Sequence, residues 1–295
     1  MKGIFLIMVH FGDSQLTVDS LKSIRKNGTE WTVILVNNSS LRLSQEINSF
    51  PNIVLLNTPN RGFAAANNLG IKLALKKGAN RVILLNNDTL IPSRSLYRLN
   101  SFADSDEKIG LVSPKIYFAP GFEFHRSKYK KKDLGHVFWY AGGIIDWKNV
   151  YPSHRGVDQV DRQQFDKIHK TDFVTGCCML IKKEVIEKIG YLNEKYFLYY
   201  EDVEYSLLAS QNGFSVKYFP GAFIYHKNAG SSGGAGSDLH QYYQTRNRLY
   251  FGLRFAPFRS KFALIKESIN TLNQNGLKKR AVLDFYLQRM GRTDL

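Results

Sequence analysis

At 295 residues, 43% hydrophobic and 22% charged, the chain suits one large domain, or one domain with a small annex, and is too well mixed for disorder. Its only two cysteines are adjacent, Cys177 and Cys178, which excludes both a disulfide framework and zinc-type spacing. The 41 Lys and Arg against 25 Asp and Glu leave a net charge of +16, which points to an anionic partner: nucleic acid, a phosphate-bearing substrate or a membrane surface.

The longest apolar runs, such as residues 4–9, fall far short of the ~18 residues that a membrane span needs. Met1-Lys2-Gly3 leads into that run with no small-residue cleavage site. The expectation is a soluble, cytoplasmic chain. Residues 241–295 hold 11 basic and 3 acidic residues, half of the excess charge, and Lys128, Lys130, Lys131 and Lys132 form a second basic cluster. A basic surface that serves solubility alone is the plainer reading of both.

Four apolar runs, residues 4–9, 31–36, 53–56 and 82–85, read as strands alternating with helical stretches. Leu16, Leu21 and Ile24 fit a helix after the first run. Phe63, Ala66, Gly70, Ile71, Ala74 and Leu75 recur near helical spacing before the fourth, and Gly78 follows Lys76-Lys77 where that helix should stop. The alternation predicts an α/β domain, a parallel sheet with helices on both faces. Ligands of such sheets bind beyond the carboxyl ends of the strands. The residues at those ends are His10-Phe11-Gly12-Asp13, Asn37-Asn38-Ser39-Ser40, Thr58-Pro59-Asn60-Arg61-Gly62 and Asn86-Asn87-Asp88.

Residues 118–170 mix glycine, aromatic and basic residues without clear period and read as an irregular insertion, a hairpin or a flexible flap. Residues 179–181 predict a strand, 183–189 a helix closed by Gly190, 203–210 a helix closed by Gly213, and 216–219 and 222–225 two short strands. A glycine-serine loop over 230–237 leads into a helix from about Leu239. Further on, Phe262, Leu264, Ile265, Ile269 and Leu272, then Leu283, Phe285 and Leu287, interleave with Lys and Arg. They predict amphipathic helices that lie on the domain or on an anionic membrane. The expected division is a domain over 1–240, built from 1–117, 118–170 and 171–240, and a basic helical segment over 241–295.

Four places could carry chemistry. Asp88 ends a strong apolar strand, where one carboxylate can hold a divalent cation together with substrate phosphates; an Asp there also serves simply as a cap. Asn60-Arg61-Gly62-Phe63, with Asn67-Asn68 one turn on, opens a helix whose N-terminus can attract phosphate, and Gly62 permits close backbone approach. Neither a G-x-G-x-x-G nor a G-x-x-x-x-G-K-[ST] pattern is present. Tyr199-Tyr200-Glu201-Asp202-Val203-Glu204 crowds three carboxylates behind aromatics at a helix start. Crowding and desolvation raise a carboxyl pKa toward general-base use, the helix N-terminus lowers it, and helix capping is the bland alternative. His226 closes a short strand, as a ligand or as a structural residue.

In this order, Asn37-Asn38-Ser39-Ser40, Asn60 to Gly70, Leu84-Leu85-Asn86-Asn87-Asp88-Thr89, Thr175-Gly176-Cys177-Cys178-Met179-Leu180-Ile181, Tyr200-Glu201-Asp202-Val203-Glu204 and His226 resemble the inverting nucleotide-sugar glycosyltransferases of glycosyltransferase family two. The resemblance runs from about residue 3 to 250. With Arg246-Asn247 on a late tyrosine-rich helix, the chain is similar to rhamnosyltransferase-like members that build cell-surface polysaccharide. The resemblance implies a GT-A type, Rossmann-like and mostly parallel sheet flanked by helices, with a C-terminal helical extension. It implies that Asn37, Asn38, Arg61, Gly62, Phe63 and Asn67, with Asn87 and Glu201, hold the donor. By the same resemblance Asp88 and His226 bind Mn²⁺ or Mg²⁺, Asp202 is the general base, and Arg246 touches the diphosphate. The implied donor is a UDP- or dTDP-sugar and the implied acceptor a saccharide or lipid-linked saccharide, with possible contact at the inner membrane face. Three positions depart from the family: one carboxylate in Asn86-Asn87-Asp88 where two are usual, Asn37 where Asp is common, and Glu204 in place of Asp, which suggests support rather than catalysis. Two rivals stand beside this reading. A sugar nucleotidyltransferase would want a glycine-rich, arginine-bearing loop where His10-Phe11-Gly12-Asp13 stands, and a nucleic-acid-binding protein finds no motif to support it.

Overall fold

The computed structural model describes residues 3–28, 30–228 and 236–294; most of the expected loop over 230–237 lies outside them. The chain begins β1 (Ile4–His10), α1 (Ser14–Arg25), β2 (Thr32–Asn37), β3 (Ile53–Asn57), α2 (Phe63–Lys76) and β4 (Arg81–Asn86). The Ile, Val and Leu runs of β1, β2 and β4 are what strands buried on both faces require, while β3 at the edge of the sheet is only half-buried. β1 pairs in parallel with β2 and β4, and β2 with β3. Two small features lock the helices on. The Asp13 side chain caps α1 by accepting from Gln15 N–H at 2.8 Å. Gly70 of α2 leaves no room for a Cβ, which would lie 2.5 Å from Ile7 Cγ2, so the helix lies close against the sheet.

β5 (Thr89–Leu90) and α3 (Ser95–Ala103) lead to β6 (Ile109–Phe118), which is buried along its whole length. The expected irregular insertion then contains β7 (Phe138–Tyr140), a hairpin of β8 (Gly143–Asp146) with β9 (Tyr151–His154), and β10 (His169–Lys170). It is anchored rather than loose. Lys115 of β6 is buried, with Asp161 and Asp166 at 2.7 and 2.5 Å, and the Tyr117 hydroxyl donates to Asp161.

β11 (Cys178–Lys182) runs antiparallel between β4 and β6, followed by α4 (Lys183–Ile189), which Gly190 closes as expected, and α5 (Glu201–Gln211). The two strands expected over 216–225 are one, β12 (Ser215–His226), with an irregular register between Phe219 and Phe223. Pro220 cannot donate to a ladder, so the strand bulges there instead of ending. β12 is parallel to β6, and the main sheet is ordered β10-β12-β6-β11-β4-β1-β2-β3. The fold is therefore the expected mostly parallel sheet with flanking helices.

The pairing directions bring the carboxyl ends of β1 to β4, β6 and β12, and the start of β11, to one edge. α6 (Asp238–Phe255), α7 (Phe258–Leu272) and α8 (Leu277–Tyr286) complete the chain. The boundary expected at residue 240 falls inside α6, whose Arg246, Asn247, Leu249 and Phe251 are buried.

Candidate active site

Asp88 and His226 meet because β5 pairs with β12: His226 stands opposite Thr89, and Lys227 N–H donates to the Asp88 carbonyl at 2.9 Å. His226 Nε2 then lies 3.0 Å from Asp88 Oδ1, and both side chains are buried. Trp139 of β7 sets its edge against the His226 ring at 4.5 Å and against His154 at 4.3 Å. Burial holds His154 down to about 4, so it is neutral at pH 7 and brings no positive charge to that corner.

Asp202 arrives at the same edge from α5. Its Oδ2 accepts from Gly176 N–H at 2.9 Å and its Oδ1 from Val203 N–H at 2.8 Å. Gly176 precedes Cys177, whose carbonyl accepts from Asn86 N–H at 3.0 Å, two residues before Asp88. The start of β11 thus carries one carboxylate on each side. The buried Cys177 thiol feels both: burial first, then Asp88, and finally Asp202 push its pKa up. The Phe63 ring lies where a Cβ on Gly176 would stand, 2.8 Å from it, and that Cβ would be 3.8 Å from Asp202 Cβ.

The competition between burial and amides at Asp202 is decided here. Burial raises the carboxyl above its ordinary value, and the Gly176 and Val203 amides lower it by less. Glu201 is buried, where Asp202 is only partly so, and is pushed up to about 8 by burial and then by Asp202. Its Oε2 has no hydrogen-bond partner. The pair titrates as a unit, and at neutral pH it carries less than two full charges. Glu204 is different. It is buried, takes the Tyr196 hydroxyl, and accepts from Asn193 at 3.0 Å and from Arg254 at 2.5 Å, which fits support rather than chemistry.

The segment entering α5 is strained: Phe197, Tyr199 and Tyr200 have φ of 62°, 69° and 76°. α6 holds it. Asn247 Nδ2 lies 2.9, 2.8 and 3.1 Å from the carbonyls of Tyr196, Leu198 and Tyr199. Arg246 is fully buried and donates to carbonyls of Tyr196, Arg289 and Gly291. The expected contact of Arg246 with a diphosphate therefore gives way to a clamp, because its guanidinium is enclosed and spent on backbone.

The remaining expected residues divide. Gly62, at φ 100°, does serve close approach, but what approaches is Phe197: an added Cβ would stand 2.4 Å from its carbonyl oxygen. That carbonyl takes the Phe63 N–H at 2.8 Å, and Asn60 Oδ1 takes the Gly62 N–H at 3.1 Å, so two amides of the α2 start are already engaged. Asn67 is buried and donates to the Phe63 carbonyl at 3.0 Å. Asn87 is buried and donates to Thr17 at 3.0 Å and to the Phe11 carbonyl at 3.3 Å, bracing the loop after β1. Asn38 donates to Asn60 at 3.0 Å and keeps a buried Oδ1 without a partner. Asn37 donates to Asn57 at 2.9 Å and lines a cavity of about 350 Å³ with Arg42, Ser44 and Asn57. Arg61 is exposed, 3.7 Å from Glu194. Gly176 and Asn247 lie in segments that carry the family resemblance but with no part of their own expected there, and Trp139 lies in the stretch over 118–170 that has no clear period.

Among the described residues, no three His, Cys, Asp or Glu side chains gather as metal ligands. Asp88 and His226 supply a carboxylate and an imidazole, and His226 Nδ1 is buried without a partner. Two such donors fit Mn²⁺ or Mg²⁺ when the ion completes its shell with phosphate oxygens and water.

The model of the family described as "Glycosyltransferase like family 2" matches residues 14–252. Agl10 of Haloferax volcanii, a hexosyltransferase of low-salt glycan biosynthesis, is 26% identical over 212 residues, 72% of this chain and 62% of its own. The chain thus spans less than two thirds of that relative's length. RfbF of Shigella flexneri, a dTDP-rhamnosyl transferase, is 22% identical over 253 residues, covering 83% of this chain and 78% of its own. Among solved structures, GalNAc-T7 with UDP, GalNAc and Mn²⁺ aligns with 95% of this chain and 53% of its own, at a TM-score of 0.65 and 13% identity. The mannosyltransferase PcManGT of Pyrobaculum calidifontis, with GDP-Man and Mn²⁺, aligns with 97% of this chain and 73% of its own, at 0.54 and 15%. The likeness to both is one of fold.

Proposed function

The chain belongs to the glycosyltransferase-like family 2, and we propose that it moves a sugar from a nucleoside-diphosphate donor to a hydroxyl of a saccharide or lipid-linked saccharide acceptor, with inversion, in the synthesis of cell-surface polysaccharide. The observation that carries this reading is the pair of carboxylates flanking the start of β11: Asp88 against an imidazole, and Asp202 desolvated and poised to take a proton.

In the reaction the acceptor oxygen bonds to the anomeric carbon as the bond from that carbon to the diphosphate breaks on the opposite face. The electron pair leaves with the nucleoside diphosphate, and positive charge spreads over the ring in an oxocarbenium-like transition state. Asp202 receives the acceptor proton, a contribution of about 10²–10⁴-fold. Its amide contacts to Gly176 and Val203 fix the carboxylate, and the strained entry to α5 sets where it points. Mn²⁺ or Mg²⁺, held by Asp88 and His226, would supply Lewis-acid stabilisation of the departing diphosphate. The mixed oxygen and nitrogen donor set favours manganese. The dTDP-rhamnosyl name of the Shigella relative supports a thymine or uracil base on the donor.

The test is incubation with Mn²⁺ and a panel of UDP- and dTDP-sugars, with free nucleoside diphosphate as the readout. Release from at least one donor is expected. If no donor is turned over and nucleoside diphosphates show no metal-dependent binding, the reading fails.

A further inference from the structure

α7 carries apolar side chains that the fold does not cover. Phe258 is 83% exposed, Phe262 66%, Ile265 39% and Ile269 52%. At 3.6 residues per turn these four positions fall on one narrow stripe, while Ser260, Leu264 and Ser268 form the buried side. Scattered exposed apolar residues need no explanation, whereas four in one row do. Lys261 borders the stripe on one side, and Arg259 and Lys266 border it on the other. The acidic residue of α7, Glu267, is turned away from it, paired with Arg248 at 2.7 and 3.0 Å.

α8 extends the same character. It is tied to α7 by a 2.7 Å hydrogen bond between the Ser268 and Tyr286 hydroxyls. Leu283, Tyr286 and Leu287 are exposed on or just after it, and Lys278, Lys279 and Arg280 fall in its first turns. Among the described residues no helix is long and apolar enough to cross a membrane, so a spanning role does not account for the stripe.

The charge decides which occupant fits. A second copy of this chain seated on the stripe would bring rows of Lys and Arg against their own like, with 11 basic and 3 acidic residues over 241–295 in each copy. An anionic lipid surface meets both features at once: acyl chains for the stripe, phosphate headgroups for its borders. Lysine and arginine stems can lie along the apolar boundary while their charged heads stay at headgroup level.

We propose that α7 lies in the plane of an anionic lipid surface, with Phe258, Phe262, Ile265 and Ile269 inserted and Arg259, Lys261 and Lys266 contacting headgroups. This goes beyond the sugar chemistry and does not depend on it. The full chain is floated with vesicles of phosphatidylglycerol and phosphatidylcholine, and with phosphatidylcholine alone, at low and high salt. Binding to the anionic vesicles at low salt is expected, weakening as salt rises. Phe258→Ser with Phe262→Ser lowers vesicle affinity at least tenfold. Arg259→Gln, Lys261→Gln and Lys266→Gln together lower it on the order of 100-fold. Phe258, Arg259, Phe262 and Lys266 are exposed, Lys261 is half-buried with its Nζ donating to the Arg254 carbonyl at 3.3 Å, and unchanged circular dichroism checks that each variant folds. Asp202→Asn binds vesicles like the parent chain, which separates this test from that of the transferase reading. Three results overturn the proposal: no binding to anionic vesicles at low salt, binding indifferent to the phenylalanine substitutions, or a dimer in sedimentation that those substitutions dissolve.

Discussion

Asp88 and Asp202 share one edge of the sheet and live in opposite surroundings. Asp88 faces an imidazole 3.0 Å away, in a corner whose other histidine, His154, is held neutral. Asp202 is held by backbone amides, with Glu201 as its ionisable neighbour and burial raising both. The first arrangement sets a carboxylate against an imidazole. The second is stabilised by a proton. Carboxylates of the same type thus stand in different surroundings, one against an imidazole and the other against backbone amides and a second buried carboxyl, and the proposed reaction asks a different task of each.

The sharpest way to break that contrast is to remove proton acceptance without changing shape. Asp202→Asn should cut turnover by about 10²–10⁴-fold while nucleoside-diphosphate affinity stays near that of the parent chain. Near-normal turnover would take Asp202 out of the role. The same assignment has a pH signature. Because burial raises the Asp202 carboxyl, kcat should fall on acidification at a higher pH than an ordinary aspartate would give, and a fall no earlier than that of an ordinary aspartate would contradict it. Asp88→Asn addresses the other half. Metal-stimulated binding of a nucleoside diphosphate should weaken on the order of 10–100-fold, with metal-free binding little changed. Equal loss with and without metal would point to a structural part for Asp88.

What was legible in the sequence follows from how local the forces are. β1, β2 and β4 stand out because strands buried on both faces need unbroken Ile, Val and Leu, and α4 ends where Gly190 can take a positive φ. β6 does not read as a strand. It carries Pro114 and Lys115, and the lysine is tolerated because Asp161 and Asp166, far along the chain, come to neutralise it. The candidate site shows the same limit. Asp88, Asp202 and His226 are visible as residue types in suggestive places, but the meeting of Asp88 with His226 needs the β5–β12 pairing. Arg246 was misleading for a physical reason: an arginine on a tyrosine-rich helix suits phosphate, and nothing local reveals that backbone carbonyls from two distant segments will enclose it.

The clamp around the entry to α5 gives a smaller prediction. Asn247→Ala removes the donor that reaches three carbonyls of a strained segment, so about 1–3 kcal/mol of stability should be lost, measured by denaturant unfolding. Turnover should fall along with it, since the segment sets Asp202. A loss of stability with full activity would mean that the loop keeps its shape without the clamp.

The smallest expected effect separates Glu201 from its neighbour. Its carboxyl goes from an ordinary value of 4.5 to about 8 on folding, because burial and the adjacent Asp202 disfavour its charge. Below pH 4.5 it is protonated in both states, and its contribution to stability is complete. Between 4.5 and about 8 the unfolded chain releases the proton and the folded chain keeps it, so stability is progressively lost as pH rises. Glu201→Gln has no proton to lose. Its Tm relative to the parent should therefore climb from pH 5 to pH 8 and then level, by about 1 kcal/mol or more, roughly 2–4 °C. Stability that is instead equal at all pH values would mean that water reaches Glu201 and that the burial setting Asp202 apart from Asp88 is incomplete.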